Sequence, residues 1–430
     1  MKPSKYSLFL IGGVAALGLL PIPLEVWTWI SSICAAVVIA DVALYWLQRP
    51  DISIERIIQS NLAIYRNSVI RLKILNRTQR QLIMKVIDTC PAEFNPAGSN
   101  RFTQVNSGYE LSYEYNVRPI QRGSFKFDST TLIVRSILHL WEFNITRPVR
   151  SNVNVYPDFV AISGYLELAA KQHRAQLGMK LVARRGSGLE FEQLREYRLG
   201  DPLNHLDWKA TARHQKLISR EFQDERDQMI CVLIDTGMTM RMNDGELTSF
   251  DHALNAMILL GYVALHQGDS IAVQFFGHTN RWLAPIRGAQ SINTLLNSVF
   301  DVQSGPEPSD YVVAAESFLT HQRKRSLVML VTNSREKESE IPSALRLLSK
   351  RHLTLFVNLR DSIIDEIPNH KVEKFDDAIL LAERSHFLQD RRRLFTHCAR
   401  SCHLSIDCRP QDLLVRLLNA YWQIKRSGAL

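Results

Sequence analysis

The 430 residues, 46% of them hydrophobic, are enough for two or three domains and too apolar for wholesale disorder. A net charge of +9 fits an anionic membrane surface, an acidic protein or nucleic acid as partner. Six scattered cysteines exclude a disulfide framework and fit reduced thiols in a cytosolic compartment.

The chain opens with two uncharged runs. Ser7 to Leu24 reads SLFLIGGVAALGLLPIPL, and Val26 to Leu47 is broken only by Asp41. Each is about long enough to cross a hydrocarbon core of roughly 30 Å as a helix. Two prolines place a turn at Pro21 to Glu25, so residues 1–50 are predicted to form a transmembrane hairpin. Lys2 and Lys5 precede the first run, while Arg49, Arg56 and Arg66 follow the second. Basic flanks stay inside, which predicts an inner-membrane protein with both ends in the cytoplasm. An intramembrane carboxylate is a functional candidate, but Asp41 lies within two turns of the cytoplasmic end and is expected to reach water.

Residues 51–152 alternate apolar and polar positions in ISIERII, SVIRLKILN, QLIMKVIDT, YELSYEYNVRP and FKFDSTTLIVRS, with NRTQR, NPAGSN and QRGS between them. Short alternating strands without a helical period predict an antiparallel β-sandwich. No acid or histidine cluster marks it, so a packing or spacer role is expected.

Residues 153–228 hold the densest pattern, RRGSGLEFEQLREYRLGDPLNHLDWKATARHQKLISREF from Arg184 to Phe222. Gly186, Ser187 and Gly188 permit a tight turn but lack the lysine of a phosphate loop. EFEQLREY reads as a helix with Glu192 and Glu196 on one face. The structural expectation is that Trp208 packs in the core while ion pairs tie the segment down. The functional expectation is a docking surface built from Glu190, Arg195, Asp201, Asp207, Trp208 and Arg213, since Trp and Arg dominate interface energies.

This string resembles the signature of the domain of unknown function fifty-eight, a bacterial family related to von Willebrand factor A domains. The matching residues run from Gly186, Gly188, Glu190, Phe191, Leu194, Arg195, Tyr197, Gly200 and Asp201 to Asp207, Trp208, Ala212, Arg213, Leu217, Arg220 and Glu221. RGSFKF near the end of the β-region and VYP at Val155 to Pro157 agree with the family layout. The resemblance implies a partner, an AAA+ ATPase of the MoxR type, and a role in assembling, maturing or protecting other membrane or secreted proteins. It implies no enzymatic activity and no nucleic acid.

Residues 229–430 alternate strands and helices. MICVLID, SIAVQFFG, SLVMLVTN and LTLFVNLRD are strand-like, with FDHALNAMILLGYVALHQ and IPSALRLLSKRH among the helices. This predicts an α/β, Rossmann-like domain with a parallel sheet, its ligand end at the strand carboxyl termini. The resemblance makes it von Willebrand factor A-like, and a working metal site of that kind has a D-x-S-x-S loop, a threonine and a second aspartate. Asp235 keeps the first position and Thr239 replaces the second serine, but Gly237 removes a hydroxyl. Ser291 is the candidate for the threonine, and Asn333 stands where the second aspartate belongs. Losing a hydroxyl and a charge leaves little to offset the dehydration of magnesium, so a degenerate site and no cofactor are expected. The alternative is a divalent-metal-dependent adhesion module that engages an acidic ligand through the Asp235 loop.

Weaker constellations close the chain. His397, Cys398, Cys402, His403 and Cys408 are near one another, with Cys398 and Cys402 on one helix face, but no tight C-x-x-C pair supports zinc. Arg391 to Arg393 is read as a solvated face. No hydrolase motif appears, so an enzyme is not expected.

Overall fold

The structure is a computed structural model that describes residues 1–18, 23–97, 101–158, 190–198, 205–223, 228–334, 340–361 and 375–427. The chain divides into two compact units, Met1–Tyr156 and Pro157–Leu430.

The first unit begins with helices α1 (Lys5–Leu17) and α2 (Leu24–Leu47). The stretch Glu25–Leu47 is long and apolar enough to cross a membrane, with mean hydropathy 2.0. Helix α1 has 13 residues, fewer than the about 20 that a perpendicular span needs. One anchor helix is therefore supported, and Pro21 and Ile22 of the expected turn lie outside the described residues.

The β-region follows as β1 (Lys2–Pro3), β2 (Ile52–Ile57), β3 (Asn61–Ala63), β4 (Ser68–Asn76), β5 (Leu82–Asp88), β6 (Phe94–Ala97), β7 (Phe102–Val105), β8 (Glu110–Pro119), β9 (Gly123–Arg135) and β10 (Trp141–Tyr156). One antiparallel sheet runs β2-β4-β8-β6. The other runs β1-β10-β9-β5-β7, with β3 parallel to β10. Alternation decides which face is buried: Ile70, Leu72 and Ile74 of β4 join Met84, Phe127, Leu132 and Val134 from the other sheet in one core. Each such side chain contributes about 1.5–3 kcal/mol. The core also closes over Arg56, which is bonded through Nη2 and Nε to Asp88, with Tyr115 and Thr130 donating to the same carboxylate.

Asp41 does not reach water, contrary to expectation. It is fully buried, and the turn between β9 and β10 supplies two donors, Ser136 Oγ at 2.5 Å and the Leu138 amide at 2.9 Å. A turn later, Tyr45 stacks on Phe143 with ring centroids 3.5 Å apart. A carboxylate held away from solvent needs donors of this kind.

The second unit opens with an antiparallel ribbon, β11 (Glu190–Glu196) and β12 (Ile218–Gln223), with helix α3 (Trp208–His214) between. The expected helix at EFEQLREY is thus a strand. The register shifts between Phe191 and Gln193, so Glu192 is a bulge and the parity of the strand changes there.

The α/β part contains β13 (Met229–Asp235), the small hairpin β14 (Asn243–Asp244) and β15 (Leu247–Thr248), α4 (Ser249–His266), β16 (Ser270–Phe276), β17 (Arg281–Arg287), α5 (Ile292–Val299), α6 (Tyr311–His321), β18 (Leu327–Thr332), α7 (Ile341–Ser349), β19 (Leu353–Leu359), α8 (Phe375–Arg400), β20 (Leu404–Cys408) and α9 (Leu413–Ser427). The sheet order is β17-β16-β13-β18-β19-β20, parallel throughout except for the antiparallel edge strand β17. Both faces are covered, which is why MICVLID is continuously apolar. Ile230, Val232 and Ile234 pack with α4, α5 and α9, whereas Cys231 and Leu233 pack with α6, α7 and α8.

The same division separates the thiols. Cys398 belongs to one face and Cys408 to the other, and Cys402 lies beyond the end of α8 rather than on its face. Among the described residues no three His, Cys, Asp or Glu side chains cluster as metal ligands. Arg391 is not solvated either: it is buried, and it donates to Asp407 at 2.8 and 3.2 Å and to the Leu359 carbonyl at 2.9 Å. Arg392 and Arg393 are exposed.

Candidate functional site

Three strand ends meet around Asp235, at the carboxyl edge of β13 and its neighbours β16 and β18. Asp235 is fully buried, and four groups donate to its carboxylate. The Gly237 amide bonds Oδ1 at 2.7 Å and Ser309 Oγ bonds the same oxygen. Thr332 Oγ1 and Tyr311 Oη bond Oδ2 at 2.6 and 3.0 Å. Tyr311 and Thr332 also meet each other at 3.1 Å. Charge-assisted bonds from both sides satisfy the carboxylate inside the protein.

The surrounding backbone fixes this cage. Met238 N donates to Glu307 O at 3.0 Å, and Gly305 N donates to Thr236 O at 2.9 Å, lacing the loop before α6 onto the loop after β13. The Thr236 hydroxyl donates to Phe276 O at 2.7 Å and accepts from Thr279 N at 2.9 Å. Ser309 Oγ sits against Gly237 and Gly277, and a Cβ on either glycine would lie 2.3 Å from it. Gly277 also has a φ of +101°, in the region that favours glycine. Nearby, Glu307 pairs with His278 at 2.5 Å. Its own backbone amide, with His278 and Arg241 behind it, holds the Glu307 carboxyl below the usual carboxylate range.

The expected metal-loop residues separate here. Asn333 is buried near the cage, and its amide donates to Asp361 Oδ1 at 2.5 Å and to Thr239 O at 3.5 Å. Thr239 therefore meets Asn333 through its carbonyl. Ser291 is not part of the cage. It stands at the start of α5, where its hydroxyl donates to Arg287 O at 2.7 Å. The hydroxyls that do reach Asp235 come from Ser309, Tyr311 and Thr332, none of them expected from the sequence. The local hint is S-D-Y at the start of α6, where the capping Asp310 is flanked by two hydroxyl residues.

A divalent ion fits this donor set poorly. Magnesium wants several oxygens in octahedral array and sheds water reluctantly. Asp235 offers both its oxygens to internal donors, and Asn333 turns its amide nitrogen to Asp361.

The second candidate surface is the ribbon module. Asp207 caps α3 by accepting from Ala210 N at 3.0 Å, and it pairs with Arg220 at 3.5 Å. Glu196 and Lys216 pair at 2.8 Å on the surface. Trp208 is 68% exposed rather than packed in a core, and Leu194 and Leu217 are 44% and 49% exposed. Charged neighbours anchor the short helix while the ring is left outside. Arg195 lies in β11, half-buried, and donates to Glu196 O at 3.2 Å, and Arg213 is exposed in the last turn of α3. Glu190 begins β11, whereas Gly186, Gly188, Gly200 and Asp201 lie outside the described residues.

Among sequence relatives, "Uncharacterized protein YeaD" of Bacillus subtilis is 26% identical over 125 residues, 29% of this chain and 31% of that protein. "Uncharacterized protein Rv1480" of Mycobacterium tuberculosis is 22% identical over 222 residues, 50% of this chain and 68% of that protein. Among solved structures, an Escherichia coli alpha-2-macroglobulin fragment is matched at TM-score 0.22 and 14% identity, covering 26% of this chain and 17% of that one. The CARDB domain of PF1109 from Pyrococcus furiosus is matched at TM-score 0.19 and 15% identity, covering 25% and 94%. Scores so low carry no weight for the fold. The family model described as "Protein of unknown function DUF58" matches residues 193–385, from β11 into α8, and this part of the chain is similar to that family.

Proposed function

We propose that the chain is a membrane-anchored, cytoplasm-facing scaffold that docks a MoxR-type AAA+ ATPase and works in a chaperone-like assembly role, without catalysis of its own. The observation that carries this reading is the exposed apolar content of the ribbon module, with Trp208 at 68% exposure among charged residues. An exposed tryptophan between Asp207 and Lys209, with Arg213 in the same short helix, has the composition of an interface hot spot. The sheet order, with a buried aspartate at a strand end, supports a von Willebrand factor A-like second unit. The internally bonded Asp235 supports a role that needs no metal. The apolar helix α2 supports the anchor, with α1 as the returning half of a hairpin.

Two experiments test the proposal. A pull-down from detergent-solubilised membranes should recover the ATPase with the wild-type chain. Trp208→Ala and Arg213→Glu should lose it while keeping the wild-type melting temperature. Equal loss of stability and binding would reduce the module to a structural element. A reporter fused after Leu430 should be active in the cytoplasm, and activity confined to the outside would overturn the compartment.

A further inference from the structure

Strand directions give the sandwich of the first unit two distinct ends. Strand β2 starts at Ile52, just after α2 stops at Leu47, and Ile52 pairs with Asn76 at the close of β4. The turn after β4 is tied to the same place: Arg77 N donates to Asp51 O at 3.0 Å, and Arg80 Nη2 donates to Gln48 O at 3.5 Å. The β7–β8 turn joins it where Asn76 N donates to Tyr109 O at 3.2 Å. The β9–β10 turn completes this end, bonded to Asp41 of α2. Three turns therefore face the side from which the anchor helix leaves. Residues 77–81 read RTQRQ and residues 106–109 read NSGY, whereas residues 136–140 read SILHL. Ile137 and Leu138 are 36% and 47% exposed at the tip, where water-facing turns place Gly, Asn, Asp, Ser or Pro.

The anchor sets the depth of that tip. Glu25–Leu47, 23 residues, is about 34 Å long as a helix, a few Å more than a hydrocarbon core of roughly 30 Å. Leu47 then stands near one hydrocarbon boundary, and Asp41 about 9 Å before it along the axis. Helical side chains lean towards the amino end, so the carboxylate is no nearer the surface than its backbone. Its two donors, Ser136 Oγ and the Leu138 amide, bring the turn to the same level. Irregular backbone survives there only when its polar groups are paired within the protein. The amides of Ser136, Leu138, His139 and Trp141 donate to Trp141 O, Asp41, Ser136 O and Ser136 Oγ, and the carbonyls of His139 and Leu140 accept from Ser4 Oγ and Ser4 N. Basic residues stand around the tip at this end. Arg77 is exposed, the Arg49 guanidinium lies 4.2 Å from the Trp46 ring, and exposed Lys5 has a stem long enough to return its ammonium to the headgroups. Arginine with interfacial tryptophan is the composition of a headgroup layer that carries anionic lipid.

We propose that the β9–β10 turn is itself inserted in the bilayer, with Ile137 and Leu138 among the acyl chains just beneath the headgroups of the leaflet in which α2 ends. The sandwich is then seated end-on upon the lipid, its basic turns in the headgroup layer and its one apolar turn below them. The inference rests on the reading of α2 as a membrane anchor. It is independent of which side of the membrane carries the sandwich and of any docking on the ribbon module.

The test reads depth in the full chain, reconstituted in vesicles of phosphatidylcholine and phosphatidylglycerol. A single fluorescent amino acid is introduced by codon suppression at Leu138, at Ile33 or at Ile120. The vesicles carry a lipid nitroxide either near the headgroup end or near the methyl end of the acyl chain. Ile33 is 60% exposed within the span, and Ile120 is 49% exposed beyond the far end of β8, about 33 Å away along the strand. The probe at Leu138 should lose fluorescence most to the nitroxide near the headgroups. The probe at Ile33 should lose it most to the nitroxide near the methyl end, and the probe at Ile120 should keep it with both. An unquenched Leu138 probe beside a quenched Ile33 probe would overturn the insertion and leave the anchor standing. An unquenched Ile33 probe would remove the anchor and the insertion with it. Equal quenching at Leu138 and Ile120, or stronger quenching at Leu138 from the methyl end, would also overturn the proposal. Should the probe at Leu138 lower the melting temperature, the same residue at Ile137 gives the reading.

Discussion

Gly237→Ser restores the hydroxyl that a D-x-S-x-S loop would carry, and the cage around Asp235 predicts that it harms the protein. A Cβ at 237 would lie 2.3 Å from Ser309 Oγ, 2.9 Å from Glu307 O and 3.1 Å from Asp235 Oδ1. Glu307 O cannot retreat without breaking its bond from Met238 N, so Ser309 must move. That withdraws one of four donors from a fully buried carboxylate. Overpacking costs about 1–3 kcal/mol, and losing a hydrogen bond to a charged group costs about 1.5–3 kcal/mol. The two overlap, so a total of about 3–5 kcal/mol is expected, or a fall of roughly 6–20 °C in the melting temperature of the second unit. Hydrogen–deuterium exchange of the full chain in detergent localises the effect. Peptides covering β13 and β18 should exchange at least about a hundredfold faster, since each 1.4 kcal/mol is a factor of ten. Gly237→Ser combined with Ser309→Gly should recover part of the loss, because the tightest contact is gone while that to Glu307 O remains. A single variant that melts within about 1 °C of wild type and gains micromolar magnesium affinity would refute the reasoning.

Asp235→Asn turns an amide toward donors and should cost about 1–3 kcal/mol, with added magnesium shifting neither variant nor wild type in a thermal scan; a metal-dependent stabilisation of the wild type alone would contradict this. Asp88→Ala strands the fully buried guanidinium of Arg56 and should destabilise the first unit by about 3–5 kcal/mol in urea unfolding; a loss below about 1 kcal/mol would mean that Arg56 finds water. Burial pushes the Cys231 and Cys408 thiols up to about 12 and Cys402 up to about 11. A raised value keeps each thiol neutral at pH 8, so native Ellman labelling at these positions should be slow and should speed up as pH rises; rapid labelling of any of them at pH 7 would be inconsistent with the packing.

Continuous apolar strands were easy to read because both faces of the central sheet are covered, and MICVLID and SIAVQFFG say so residue by residue. Asp235 and Asn333 were legible for a related reason: each ends such a strand. Their partners were not. Ser309 and Tyr311 stand 74 and 76 residues beyond Asp235, and S-D-Y marks a helix start without saying which strand end its hydroxyls will reach. The ribbon misled in a different way. Glu192 and Glu196 stand four apart, the spacing of a helix face, yet the segment is a strand with a bulge at Glu192, so that spacing alone did not tell the two apart. Trp208 was read by residue type, which favours burial, yet it opens a seven-residue helix too short to cover it.

Asp41 and its partner Ser136 are 95 residues apart in the chain. During synthesis at about 5–20 residues per second, the carboxylate emerges some 5–20 s before the turn that will bond it. Until then it has water and lipid headgroups for company, and the anchor helix is free to slide outward to reach them. Closure of the β9–β10 turn ends that freedom. It fixes how deep the anchor sits and couples the completion of the sandwich to the final placement of the helix, so translation order becomes part of how the protein is set in its membrane.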